Sequence, residues 1–175
     1  MPIDKSIDFV AINIAVVTIS DSRTTKNDTS GDTLEKRIID AGHNVLNRTI
    51  IRDDIKQIKN TLERMSKVKE IDCIITTGGT GLTGRDTTPE AIKKIANKYI
   101  DGFGELFRQV SFEKIGTSAI QSRAVAALVN STYVFCLPGS TGACKDGWDK
   151  ILQYQLDIRH KPCNFVEIMP RLNEK

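Results

Sequence analysis

Residues 76–91, TTGGTGLTGRDTTPEA, place four glycines, an arginine and an aspartate just ahead of a helix-start signal. Glycines let successive backbone N–H groups turn into one concavity that attracts anions, and the start at Thr88-Pro89-Glu90 adds a partial positive charge. Arg85 offers a forked donor suited to phosphate. Asp86 would repel a phosphate unless a divalent cation lay between them. Mg²⁺ is commonly held by one or two carboxylates together with substrate phosphate oxygens. Glycines, Arg85 and Asp86 together therefore suggest nucleotide-phosphate chemistry with magnesium. A Gly-rich turn in which Asp86 merely pairs with Arg85, and Thr88 merely caps a helix, accounts for the same residues.

Two known phosphate patterns overlap in this stretch and neither fits. Gly79, Gly81 and Gly84 spell G-x-G-x-x-G, but a dinucleotide turn follows a first strand and opens its helix directly after the glycines. Gly79 to Gly84 also has P-loop spacing, but Arg85-Asp86 stands where Lys and a hydroxyl residue are required.

Elements able to position this loop can be read on either side of it. FVAINIAVVTI (9–19), VLNRTII (45–51), IDCIIT (71–76) and TYVFCL (132–137) are apolar, β-branched runs expected to be strands. Ser30 is expected to cap a helix carrying Leu34, Ile38 and Ala41, with Gly42 as its stop. Asp53 or Asp54 is expected to cap another, with Ile55, Ile58, Leu62 and Met65 on one face. Residues 92–128 read as helix interrupted at Gly102, Gly104 and Gly116, and 143–159 as a closing helix.

Strands alternating with helices predict a mostly parallel, doubly wound α/β sheet covered on both faces. In such sheets ligands bind outside the carboxyl ends of the strands. SDSRT (20–24), RDD (52–54), TTGGTGLTGRD (76–86) and PGSTG (138–142) are the segments that follow the strands, and the fold should bring them to one edge.

Bulk properties narrow the classes. A length of 175 residues fits one domain, residues 1–175. A net charge of +3 with no block of five basic residues argues against a nucleic-acid partner. No apolar run approaches the roughly 18 residues of a membrane span, and MPIDKSIDF has no leader pattern, so a cytoplasmic protein is expected. The four cysteines form no C-x-x-C pair; Cys73 and Cys136 lie in strand-like runs and are expected in the core. His43 and His160 are expected at the surface.

The chain resembles the MoaB/MogA family of molybdenum cofactor biosynthesis proteins, related to the G domain of gephyrin. TTGGTGLTGRDTTPEA looks like the family's central signature. SDSRT-x-x-NDTSG, FGELFRQVSFEKIGTSAIQSRA, LPGSTGAC and QLD-x-R-x-x-PCNF look like its MoaB branch. The resemblance implies a three-layer α/β/α fold and a homo-oligomer, a trimer or a hexamer built as a dimer of trimers. It implies binding of the pyranopterin molybdopterin and, in active members, its adenylylation by Mg-ATP. There the terminal phosphate of molybdopterin attacks the α-phosphate of ATP, giving adenylyl-molybdopterin and pyrophosphate.

The family's two catalytic aspartates fall on Asp53 and Asp86, with Asp86 also the magnesium ligand. Asp53 stands in RDD, where active relatives usually have a proline before the acid. Inactive members have lost the arginine that this chain keeps as Arg85. Nucleotide and pterin contacts fall on Ser20, Asp21, Ser22, Ser30 and Gly31; on Thr77, Gly78, Gly79, Thr80, Gly81 and Arg85; and on Pro138, Gly139, Ser140, Thr141 and Gly142. The same pocket would serve a non-catalytic pterin carrier.

Overall fold

Successive side chains along the buried strands point to opposite faces and divide the molecule into layers. The computed structural model describes residues 3–174. It contains a six-stranded sheet formed by β1 (Asn13–Ile19), β2 (Asn44–Ile51), β3 (Cys73–Thr77), β4 (Lys98–Tyr99), β5 (Val125–Val129) and β6 (Thr132–Leu137). Their spatial order is β2-β1-β3-β6-β5-β4. β2, β1, β3 and β6 are parallel, and β5 runs antiparallel to both β6 and β4.

Because side chains alternate across a strand, each buried strand feeds two cores. Ile14, Val16, Cys73, Ile75, Tyr133, Phe135 and Leu137 point to one face. There they meet Leu34 and Ile38 of α1 (Thr29–Asp40), Phe103 and Phe107 of α4 (Asp101–Ile115), and Cys144 of α5 (Thr141–Gly147). Ala15, Val17, Ile74, Val134 and Cys136 point to the other face. They pack on Ile58, Leu62 and Met65 of α2 (Ile55–Met65) and on Ala91 and Ile92 of α3 (Thr88–Lys93). This is the α/β/α sandwich expected, and Cys73 and Cys136 are core residues as anticipated.

Several local expectations are corrected. Asp28, not Ser30, caps α1: its carboxylate accepts from the Gly31 N–H, and Ser30 lies buried within the first turn. Asp54 caps α2, which frees Asp53 for another role.

The run 92–128 is not continuous helix. α3 ends at Lys93, β4 intervenes, and α4 closes at Gly116, whose φ of +57° leaves the helical region. Gly102 and Gly104 lie inside the first turn of α4 rather than interrupting it. A 3₁₀ segment (Gly116–Gln121) then leads into β5. VAALV lacks alternation and is rich in Ala and Leu, so it passed for helix. The signal that marks it is Asn130, at φ +55° in the two-residue turn between β5 and β6.

The closing helix runs without a gap through α5, a π turn (Trp148–Leu152) and a short α6 (Gln153–Gln155), ending before the Arg159 expected. His43 and His160 are buried, not superficial. His43 Nδ1 accepts from the Ile12 N–H at 3.3 Å, and its ring packs between Phe9 and Trp148. Burial pushes its pKa down.

Candidate functional site

The four loops do converge. A cleft of about 760 Å³ opens beyond the carboxyl ends of the parallel strands. Its lining includes Ser20, Asp21 and Ser22 after β1, Asp53 after β2, Gly78, Gly79, Thr80, Gly81 and Asp86 after β3, and Pro138, Gly139, Ser140 and Gly142 after β6. Its size suits a cofactor-sized ligand. The strand order reverses at β1, which is where open α/β sheets form such crevices.

Tight backbone contacts hold the loops together. The Gly78 N–H donates to Leu137 O at 2.9 Å, and the Thr88 N–H donates to Gly79 O at 2.9 Å. Thr88 Oγ1 donates to Gly78 O rather than capping its own helix. A Cβ on Gly139 would meet Gly78 Cα at 3.1 Å, so the two glycine loops lie directly against one another.

Asp53 and Asp86 arrive from different loops and are fixed in similar ways. Asp53 Oδ1 accepts from the Thr87 N–H at 3.0 Å and from Thr87 Oγ1 at 2.8 Å, just ahead of α3. Asp86 Oδ2 accepts from the Thr83 N–H at 2.8 Å and from Thr83 Oγ1 at 2.6 Å. Among the described residues, Asp53 Oδ2 and Asp86 Oδ1 have no hydrogen-bond donor.

The two carboxyls titrate in opposite directions. Burial raises the pKa of Asp53; the Thr87 hydrogen bonds offset this only in part, and Asp86 and Asp21 push it further up. Burial acts on Asp86 in the same sense, but the Thr83 hydrogen bonds, with Arg123 nearby, outweigh it and hold Asp86 below the usual carboxylate range. Asp21, Asp53 and Asp86 thus share one acidic end of the cleft. Among the described residues no three His, Cys, Asp or Glu side chains gather to hold a metal alone. Two half-free carboxylates suit a magnesium ion completed by substrate phosphate oxygens and water.

Arg123 holds the loop that carries Asp86. Its N–H donates to Thr80 O at 3.1 Å, Nε donates to Gly81 O at 2.7 Å, and Nη2 donates to Asp86 O at 2.7 Å, while Nη1 pairs with Glu90. One residue therefore ties both ends of the 80–86 loop to the first turn of α3. Arg123→Gln is expected to cost about 2 kcal/mol of stability, since hydrogen bonds to a charged group contribute roughly 1.5–3 kcal/mol and some of that returns as solvation. Urea unfolding checks this, and an unchanged midpoint would show the guanidinium to be dispensable.

Not every residue named from sequence lines the cleft. Ser30, Gly31, Thr77, Arg85 and Thr141 do not. Thr77 Oγ1 donates to Pro138 O at 3.0 Å and accepts from Cys144 Sγ, bracing the floor beneath the cleft. Thr141 Oγ1 bonds Thr29 Oγ1 at 3.1 Å, joining the starts of α1 and α5. Arg85 is largely exposed and pairs with Asp21 across the rim, not with Asp86.

A whole wall went unread in the sequence: Phe107, Ser111, Lys114 and Ile115 from α4, Gln121 and Ser122 beyond it, and Asp146 from α5. The i, i+3, i+4 spacing of Ser111, Lys114 and Ile115 is the signal that puts them on one helix face.

Comparison with known proteins agrees with this architecture. A family model described as a probable molybdopterin binding domain matches residues 15–158. Molybdenum cofactor biosynthesis protein B of Escherichia coli strain K12 is 42% identical over 160 residues, covering 91% of this chain and 94% of that protein. The protein of the same name from Bacillus cereus is 40% identical over 146 residues, covering 83% of this chain and 86% of its own. A crystal structure of a molybdenum cofactor biosynthesis protein B superposes with a TM-score of 0.85 at 35% identity, covering 95% of this chain and 98% of that one.

Proposed function

This chain belongs to the family of probable molybdopterin-binding domains, and from that premise we propose that it adenylylates molybdopterin with Mg-ATP in molybdenum cofactor biosynthesis. The observation that carries the reading is that Asp53 and Asp86, from separate loops, both line the cleft against the glycine turn, beside Gly79 and Gly81 respectively. Each is held by a threonine and keeps one oxygen without a donor.

The reaction needs no protein nucleophile. A phosphate oxygen of the pterin forms a bond to the α-phosphorus of ATP, the bond from that phosphorus to pyrophosphate breaks, and positioning with charge neutralisation suffices. Asp53 and Asp86 would hold a magnesium ion, whose charge offsets that of the phosphates. The 78–81 backbone supplies donors for phosphate oxygens. Ser20 and Ser22, on either side of Asp21, and the Pro138–Gly142 loop offer hydroxyl and backbone donors to the pterin. Ser140 also caps α5, accepting from the Ala143 N–H at 3.1 Å.

Magnesium-dependent release of pyrophosphate from ATP, seen only when molybdopterin is added, tests the reading. Tight molybdopterin binding without that release would make the chain a carrier instead.

The same reading includes assembly into a hexamer, a dimer of trimers. α4 is apolar on two sides: Phe103 and Phe107 enter the core, while Leu106 and Phe112 stay exposed outside the cleft, joined by Ile120. A helix apolar on more than one side packs against two neighbours, and closed symmetry is the rule among soluble oligomers. Light scattering should report about six chain masses, as closed assembly of this kind requires; a stable monomer would overturn the assembly.

A further inference from the structure

Lys114 is the only cation among the described residues that line the cleft, against four carboxylates, Asp21, Asp53, Asp86 and Asp146. It stands in the last turn of α4 and forms an ion pair with Asp146 of α5. The two ends of this pair sit in different surroundings. The Asp146 side chain is 11% exposed and the Lys114 side chain 56% exposed. The carboxylate is therefore the fixed partner, and the ammonium is the one that solvent or a ligand can reach. An ammonium has three donors. Asp146 occupies one side of it and anchors a long, flexible stem that would otherwise wander.

Charge within the cleft is divided accordingly. A Cβ on Gly79 would lie 2.6 Å from Asp53 Oδ2 and one on Gly81 2.7 Å from Asp86 Oδ2, and Arg85 of the same loop pairs with Asp21, so these three carboxylates border the glycine loop, where a phosphate enters only with a divalent cation. Lys114 is held instead between α4 and α5, the helix that opens at Ser140. That side can receive a phosphate without a metal.

We propose that Lys114, held on the cleft wall by Asp146, recognises the phosphate monoester of the pterin substrate. This rests on the pterin reading given above, and it gives the two phosphate-bearing substrates different partners within one cleft. The metal-bound triphosphate goes to the carboxylates and the pterin phosphate to the lysine. Asp146 acts as a positioning residue that does not touch the ligand.

The test sets Lys114 against the ligand's own phosphate. A fluorescent pterin carrying a phosphate monoester on its side chain, and the same pterin without the phosphate, are titrated into wild type, Lys114→Gln, Lys114→Arg and Asp146→Asn. Lys114→Gln should weaken the phosphorylated probe about tenfold, a typical loss for a charge-assisted contact, and leave the phosphate-free probe within about twofold. Lys114→Arg should restore most of the affinity, and Asp146→Asn should fall between it and Lys114→Gln. Mg-ATP affinity should be unchanged in all three.

Equal losses for both probes, or a loss for Mg-ATP alone, would overturn the assignment while leaving the pterin reading in place. Wild-type protein that binds neither probe would overturn both. Thermal unfolding of each variant separates a lost contact from a lost fold.

Discussion

Asp86→Asn is expected to lower adenylyl transfer by about 10³-fold or more while the protein stays folded, in line with the loss of a metal ligand or of a preorganised charge in a phosphoryl-type site. The substitution is clean because of how Asp86 is held. Thr83 N and Oγ1 donate to one carboxylate oxygen, and an asparagine carbonyl can accept both bonds. The other oxygen, which has no donor, becomes an amide that repels a cation. Turn and charge are thereby separated. Circular dichroism and the unfolding midpoint should stay close to wild type, and the turnover number should collapse. Retained turnover would mean that Asp86 does no more than close its own loop.

The second large effect is structural. Gly78→Ala is expected to destabilise the protein by about 3–5 kcal/mol, combining strain in a sparsely populated backbone region with a contact that cannot relax. Gly78 has φ +111°, which an alanine rarely adopts, and a Cβ there would lie 2.1 Å from Ile19 O. That oxygen belongs to the backbone at the end of β1, so no side chain can swing away. Gly84 offers the comparison, because a Cβ there meets nothing within 4 Å. Gly84→Ala should leave the unfolding midpoint nearly unchanged, although it lies in the same glycine-rich stretch. Equal shifts for the two variants would show that the close approach of β1 and the β3 loop is not what Gly78 serves.

That contrast bears on how much of the molecule could be read from its sequence. The apolar runs of β1, β3 and β6 announce themselves because a strand buried on both faces is apolar nearly throughout, and β2, at the sheet edge, shows in its β-branched residues. With those strands in place, topology alone puts the Gly-, Ser- and Asp-rich segments at one edge. Asp53 and Asp86 were legible in this way, although sequence spacing could not tell which acid after β2 caps the helix. Asp54 takes that role, and Asp53 turns to Thr87 instead, a residue 34 positions away.

The opposite wall was hidden because its residues come from a helix. On α4, Phe107, Ser111, Lys114 and Ile115 look like ordinary amphipathic spacing. Only the packing of α4 beside α5, with Lys114 meeting Asp146, shows which side faces the cleft. β4 and β5 were hidden for a different reason: β4 has two residues and β5 no alternation, so neither carries a period. His43 and His160 were misplaced because flanking polar residues say nothing about a ring tucked between Phe9 and Trp148, or beside Tyr154.

The central claim, that the paired aspartates and the glycine loop carry out adenylyl transfer, is met most directly by following the α-phosphate. Purified protein is mixed with molybdopterin, magnesium and ATP labelled at its α-phosphate, and the products are separated. The account predicts that the label moves to the pterin fraction as adenylyl-molybdopterin, with one pyrophosphate released per label transferred, and that Asp86→Asn stops the transfer. Label remaining entirely on ATP, while the wild-type protein binds both substrates, would contradict it.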